Sequence, residues 1–135
     1  MNFYRLITLI LAILTTSAYA SQSSVEIFER FDDIRIVAVI NKDDIDSSPK
    51  WNPGLNPLPL SVDRAIRAIQ DFVQQPGLAD GIQGIEIRTI RNYPGHWHYL
   101  FKVAADDSNS QKYDMYAVLM NGKVVPAFIE PESIK

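Results

Sequence analysis

The chain has 135 residues, a formal net charge of -3 and no cysteine. That length suits a single domain, and 47% apolar against 21% charged residues excludes a disordered chain. The near-neutral charge argues against a nucleic-acid or anionic-membrane binder, and the missing cysteines exclude a disulfide scaffold, a thiolate metal centre and a cysteine nucleophile.

Residues 1–20 read as a signal peptide. Arg5 supplies the positive start, and the run from Leu6 to Leu14 is apolar except for Thr8. Ala18-Tyr19-Ala20 then fits the small-x-small cleavage pattern. The apolar run falls short of the roughly 20 residues that span a bilayer. Residues 21–135 are therefore expected to be one exported domain, periplasmic or extracellular. No second apolar stretch is long enough to span. No cysteine stands at the cleavage point to carry a lipid, so no lipid anchor is expected.

Ser21 to Ser24 is polar, and residues 25–31 fit a short helix or a strand equally well. Residues 34–40, Ile-Arg-Ile-Val-Ala-Val-Ile, are β-branched and apolar nearly throughout. They predict a strand covered on both faces. Residues 41–48 are polar and acidic and predict a loop. Residues 49–59 hold four of the eight prolines, with Trp51 and Gly54. Proline lacks an amide hydrogen and fixes φ, so this stretch predicts an extended surface arm, pinned by Trp51.

Residues 61–75 predict one amphipathic helix. Ser61 is a suitable N-cap and Asp63 complements the dipole in the first turn. Val62, Ala65, Ile66, Ile69, Phe72 and Val73 form one apolar stripe at helical spacing. Pro76-Gly77 ends it. The period then falls from 3.6 to 2. Ile85, Ile87 and Thr89 alternate with polar residues, and Tyr93-Pro94-Gly95 makes a turn. Trp97, Tyr99, Phe101 and Val103 predict the core face of the next strand. Two further strands, residues 113–120 and 124–129, flank Asn121-Gly122, which predicts a type I′ hairpin with positive φ at both residues. Pro126 places the last strand at an edge. The fold class is α+β: one amphipathic helix packed on an antiparallel sheet of four to five strands, preceded by the proline-rich arm.

This order of elements resembles the cystatin-like arrangement, which is also the plan of small exported PepSY-type domains. The inhibitory Gln-x-Val-x-Gly loop of cystatins would fall where this chain reads Asn92-Tyr93-Pro94-Gly95-His96. Their Pro-Trp hairpin would fall at Asn121-Gly122. The family's functional residues thus do not carry over. The PepSY likeness implies non-catalytic binding or regulation in the cell envelope.

His96 and His98 are the only histidines. At spacing two on a strand they share a side, and with Asp114 on the neighbouring strand they would make a three-ligand metal set if register allowed. The preferred reading places both, exposed, on the solvent face of a hairpin. Trp51 and Tyr93 lie beside prolines outside the regular elements. They either cover the ends of the core, the preferred reading, or form a binding surface. No G-x-S-x-G elbow, H-E-x-x-H or phosphate-binding glycine loop is present, and Pro49 and Leu55 break the calcium-loop pattern that starts at Asp44. The expected function is binding or regulation without catalysis, with a protein, peptide or envelope component as partner. Its binding residues would be Trp51, Tyr93, His96 and His98. No catalytic residue, metal or cofactor is assigned. The alternatives are an exported hydrolase or metal-dependent protein using His96 and His98, and a cystatin-like protease inhibitor wedging with Pro94-Gly95 and the N-terminal arm.

Overall fold

In the computed structural model, residues 23–31, 34–105 and 112–130 are described. The signal peptide read at residues 1–20 lies outside them, as does the polar loop 106–110. Six strands form one antiparallel sheet: β1 (Ser24–Phe31), β2 (Ile34–Asn41), β3 (Ile82–Thr89), β4 (Trp97–Ala104), β5 (Tyr113–Leu119) and β6 (Val124–Ile129), in spatial order β1-β2-β6-β5-β4-β3. The class is α+β as expected, with more strands than the four to five read from sequence. The added strand is β1, whose helix-or-strand ambiguity is resolved by pairing along its whole length with β2. Pro126 lies inside the sheet order rather than at an edge, opposite Tyr116 of β5. The β2–β6 register covers only Ile36 to Ala38, which pair with Ile129 to Ala127, so Pro126 needs no amide bond to β2.

Two helices accompany the sheet. Residues 41–48, expected to be a loop, contain α1 (Lys42–Ser47). The Asn41 side chain accepts from the Asp43 amide, Asp43 and Asp44 complement the first turn, and Ile45 is fully buried. The larger helix, α2 (Val62–Val73), begins at Ser61, whose hydroxyl accepts from the Arg64 amide. It ends on Gln74 in the left-handed region, at φ 55°. Its stripe is narrower than the sequence suggests. Ala65 and Ile69 are fully buried and Ile66 and Val73 partly so, whereas Val62 and Phe72 are exposed.

Strand alternation gives the sheet two different faces. Tyr99, Phe101, Val103, Val118 and Val124 face α2 and form the main core with Ala65, Ile69, Leu60 and Leu78. The Tyr99 hydroxyl donates to the Leu60 carbonyl, which ties the residue before the helix cap to the strand. The other face carries Ile27, Ala38, Ile40, Ala117 and Leu119, covered by Ile45 of α1 and by Ile90. Ile36, Leu100 and Met115 continue it. With both faces apolar, this sheet has no solvent side beneath β4 and β5.

The arm runs where expected. Residues 49–60 form neither helix nor strand. Trp51 meets Trp97 edge to face, with ring centroids 4.9 Å apart. The Trp97 indole donates to the Trp51 carbonyl at 3.1 Å, and the Trp51 amide donates to the Gly95 carbonyl at 2.9 Å.

Two turns matter for the termini of strands. Tyr93-Pro94-Gly95-His96 is a type II turn: the His96 amide returns to the Tyr93 carbonyl and Gly95 has φ +80°. The β5–β6 connection differs from the I′ turn expected. The Gly122 amide closes on the Leu119 carbonyl, the Leu119 amide on the Lys123 carbonyl, and only Gly122 has positive φ, at +88°. This is a three-residue loop, a type I turn followed by a left-handed glycine. Met120 is thereby buried under the turn rather than paired in the strand.

Candidate functional site

β1 and β3 stand at opposite ends of the sheet order. In a flat sheet, five strand spacings of about 4.8 Å would hold them about 24 Å apart. They are instead in contact. Arg88 of β3 donates to the Glu29 carboxylate at 2.8 Å and to the Arg30 carbonyl at 2.6 Å, both on β1. The sheet is therefore curled, with the face opposite α2 on its inside, and its two free edges approach each other.

The closure is made by a partly buried chain of polar and charged side chains. Glu29 shares its inward face with Val25 and Ile27 and stands opposite Ile36 of β2. Its Oε1 meets His98 Nε2 at 2.7 Å and its Oε2 meets Arg88. Arg88 also pairs with Glu86 on its own strand. His98 sits opposite Arg88 on β4 and is 1% exposed. Its Nδ1 lies 2.9 Å from the Tyr99 carbonyl. That carbonyl can only accept, so the contact sets the tautomer in which Nδ1 donates. Burial works to raise the Glu29 pKa, but hydrogen bonding and charge from His98 and Arg88 outweigh it and leave the carboxyl below its usual range.

Beyond this chain the two edges diverge into a cleft of about 750 Å³. Val25, Ile27 and Glu29 line one wall, and Thr89, Arg91 and Tyr93 the other. Lys42, at the start of α1, stands at the mouth and pairs with Asp46.

The four residues singled out from sequence fall in different places. Tyr93 is the one that lines the cleft; its ring packs against the inner-face core. Trp51 caps the α2-side core at the Trp97 ring. Both cover core ends, the preferred reading. The two histidines, expected on a solvent face, are buried: His96 is 6% and His98 1% exposed. The curled sheet covers the face on which they were placed. They do not act together. His98 joins Glu29, while His96 lies near Lys50 and Asp46, its Nδ1 buried without a partner among the described residues. Burial, aided by Lys50, holds the His96 pKa below the usual imidazole value. Register also removes Asp114 from any histidine set, because it pairs with Val103 and so faces the α2 side. Among the described residues no three His, Asp or Glu side chains gather as metal ligands.

Sequence reasoning passed over Glu29, Arg88 and Arg91. One signal was available. Val25, Ile27 and Glu29 share a strand face, so a carboxylate ends an apolar row and needs a cationic partner. Which cation meets it depends on curling, which no local pattern encodes. No protein family, curated protein or solved structure matches this chain.

Proposed function

We propose that this chain is an exported, non-catalytic binding protein of the cell envelope or medium, with its ligand site in the cleft between β1 and β3. The observation that supports this reading is the way the charged groups at the cleft are committed. Both nitrogens of His98 face acceptors and both oxygens of Glu29 face donors. Among the described residues, no serine or threonine hydroxyl is hydrogen-bonded to His98, as a histidine-activated nucleophile requires. What faces outward from them is an open slot between two strand edges, with Val25, Ile27 and Tyr93 among charged and polar residues such as Glu26, Lys42 and Arg91, a shape suited to holding a ligand. The export part of the reading rests on the charged start, apolar run and Ala18-Tyr19-Ala20 of the leader.

The test uses the full chain expressed in a bacterial host. Fractionation followed by N-terminal sequencing should find the product outside the cytoplasm, beginning at Ser21. A photo-crosslinking residue at Thr89 should then trap a ligand from the envelope or medium, while the same residue at exposed Asp63 traps none. A cytoplasmic product retaining Met1, or equal labelling at both positions, would overturn the proposal. So would a hydrolytic activity lost on His98→Ala.

A further inference from the structure

We infer that the cleft takes one extended polypeptide segment, alternately apolar, which adds as a strand between the free edges of β1 and β3. This rests on the binding reading above and names its ligand class.

The backbone carries the argument. In an antiparallel strand the N–H and C=O of one residue point to the same side, and successive residues alternate. The Arg30 carbonyl points out of the sheet toward Arg88, and the Ser23 carbonyl points inward to the Lys42 amide. Both place the even-numbered residues of β1 outward. Glu26 and Phe28 thus present their N–H and C=O groups to the cleft side. On the facing wall the Ile90 amide turns inward to the His96 carbonyl, which leaves Thr89 turned outward. The slot therefore offers donors and acceptors from both walls, spaced at strand intervals. A polypeptide backbone in extended form supplies the complementary row.

Side chains and shape narrow the ligand further. Val25, Ile27 and Tyr93 make one side of the slot apolar and continuous with the inner core. The opposite side opens to solvent. A strand lying between them would bury every second side chain and expose the others. The Arg88–Glu29 contact closes one end, so the free edge runs from Ser24 to Phe28 and admits about five residues at about 3.3 Å each. A second copy of this chain would bring a whole sheet behind its edge strand, and the β3 wall stands in its way. A single segment has no such obstruction.

The experiment starts by panning a phage library of random nonapeptides against the folded chain. A synthetic peptide of the enriched sequence then serves as probe in fluorescence polarisation. Enriched sequences should alternate apolar and polar residues, and the probe should compete with crosslinking at Thr89. Glu26→Pro removes one outward N–H and leaves the β2 ladder untouched, since an edge strand tolerates proline on its free side. It should weaken the probe by about tenfold, the loss of roughly one hydrogen bond. Glu26→Ala, which keeps that N–H, should weaken the probe less than Glu26→Pro does. N-methylation within the roughly five-residue segment should weaken binding at successive positions, and methylation outside it should not, a readout independent of how the variant folds. Equal affinity for Glu26→Pro and parent, or indifference to N-methylation, would overturn strand addition. A ligand trapped at Thr89 with no peptide enriched would sink this inference and leave the binding reading standing, whereas no trapped ligand at all would remove both. A dimer whose β1 edge is protected from crosslinking would assign the slot to a second copy instead.

Discussion

On the α2 side, the helix covers the sheet through apolar packing: Ala65 and Ile69 pack over Tyr99, Phe101 and Val118. On the inner side, an apolar row from Ile27 to Leu119 ends in Glu29, Arg88 and His98. The first arrangement is non-directional and tolerates small shifts of the helix. The second has fixed geometry, with Arg88 shared among Glu29, Glu86 and the Arg30 carbonyl, and His98 between Glu29 and the Tyr99 carbonyl. Apolar packing holds the helix down; the charge chain sets where β1 meets β3, and hence how far the cleft opens.

The contrast is sharpened by truncating each side in turn. Ile69→Ala should have the largest effect, about 2–5 kcal/mol, because a fully buried methylene set is lost and a cavity remains. Denaturant melts measure it; a change below about 1 kcal/mol would mean the helix can settle into the space. Glu29→Ala should cost about 3 kcal/mol, near the low end for breaking a buried pair, since Arg88 keeps Glu86 and some water. Adding His98→Leu should recover part of that loss, because the imidazole nitrogen left buried without its partner is removed as well. A strictly additive double mutant would show that the two residues do not interact.

Two glycines give smaller effects that bear on two turns at the same end of the strands, where His98 pairs with Leu119. Gly122→Val should cost about 1–3 kcal/mol through backbone strain alone, because no atom lies near the new Cβ. Gly95→Ala should cost about 1 kcal/mol, since its φ is also positive and its Cβ would press on the flexible Lys50 side chain. Thermal melts rank the pair, and an unaffected Gly122→Val would contradict the left-handed glycine in the β5–β6 loop.

Acid should act on both regions in order. His96 has a lowered folded pKa, so the unfolded chain binds its proton first; stability is full above about 6.5 and falls as pH drops below it. Glu29, also lowered, contributes fully above about 4.5 and is lost as pH falls further, through its folded value. Urea midpoints from pH 8 to 3 should therefore decline in two stages. His96→Phe should erase the first stage and leave the second. Arg64→Ala, on the solvent side of α2, completes the ranking with a change below about 0.5 kcal/mol by the same melts.

Much of the α2 side is legible in the sequence because its rules are local. The stripe at Ala65 and Ile69, the Ser61 cap and the alternation from Trp97 to Val103 each follow from periodicity or capping chemistry. α1 escapes notice because a six-residue helix buries a single side chain, Ile45, among polar neighbours. The burial of His98 is not local either, although one pattern hinted at it. Residues 115–120 of the next strand are apolar at every position but Tyr116, which indicates coverage of both faces. The Glu29–His98 contact joins residues 69 apart in sequence, on strands not adjacent in the sheet. Nothing short of the curled sheet places them together.

The Trp51–Trp97 contact has a spectroscopic consequence. The chain has two tryptophans, and they lie edge to face with centroids 4.9 Å apart. At that separation they behave as one chromophore, exchanging excitation and quenching together. Intrinsic emission thus reports whether the arm is seated on β4. The β1–β3 closure is held by Glu29, Arg88 and His98 and involves neither indole, so breaking those contacts removes none that seats the arm.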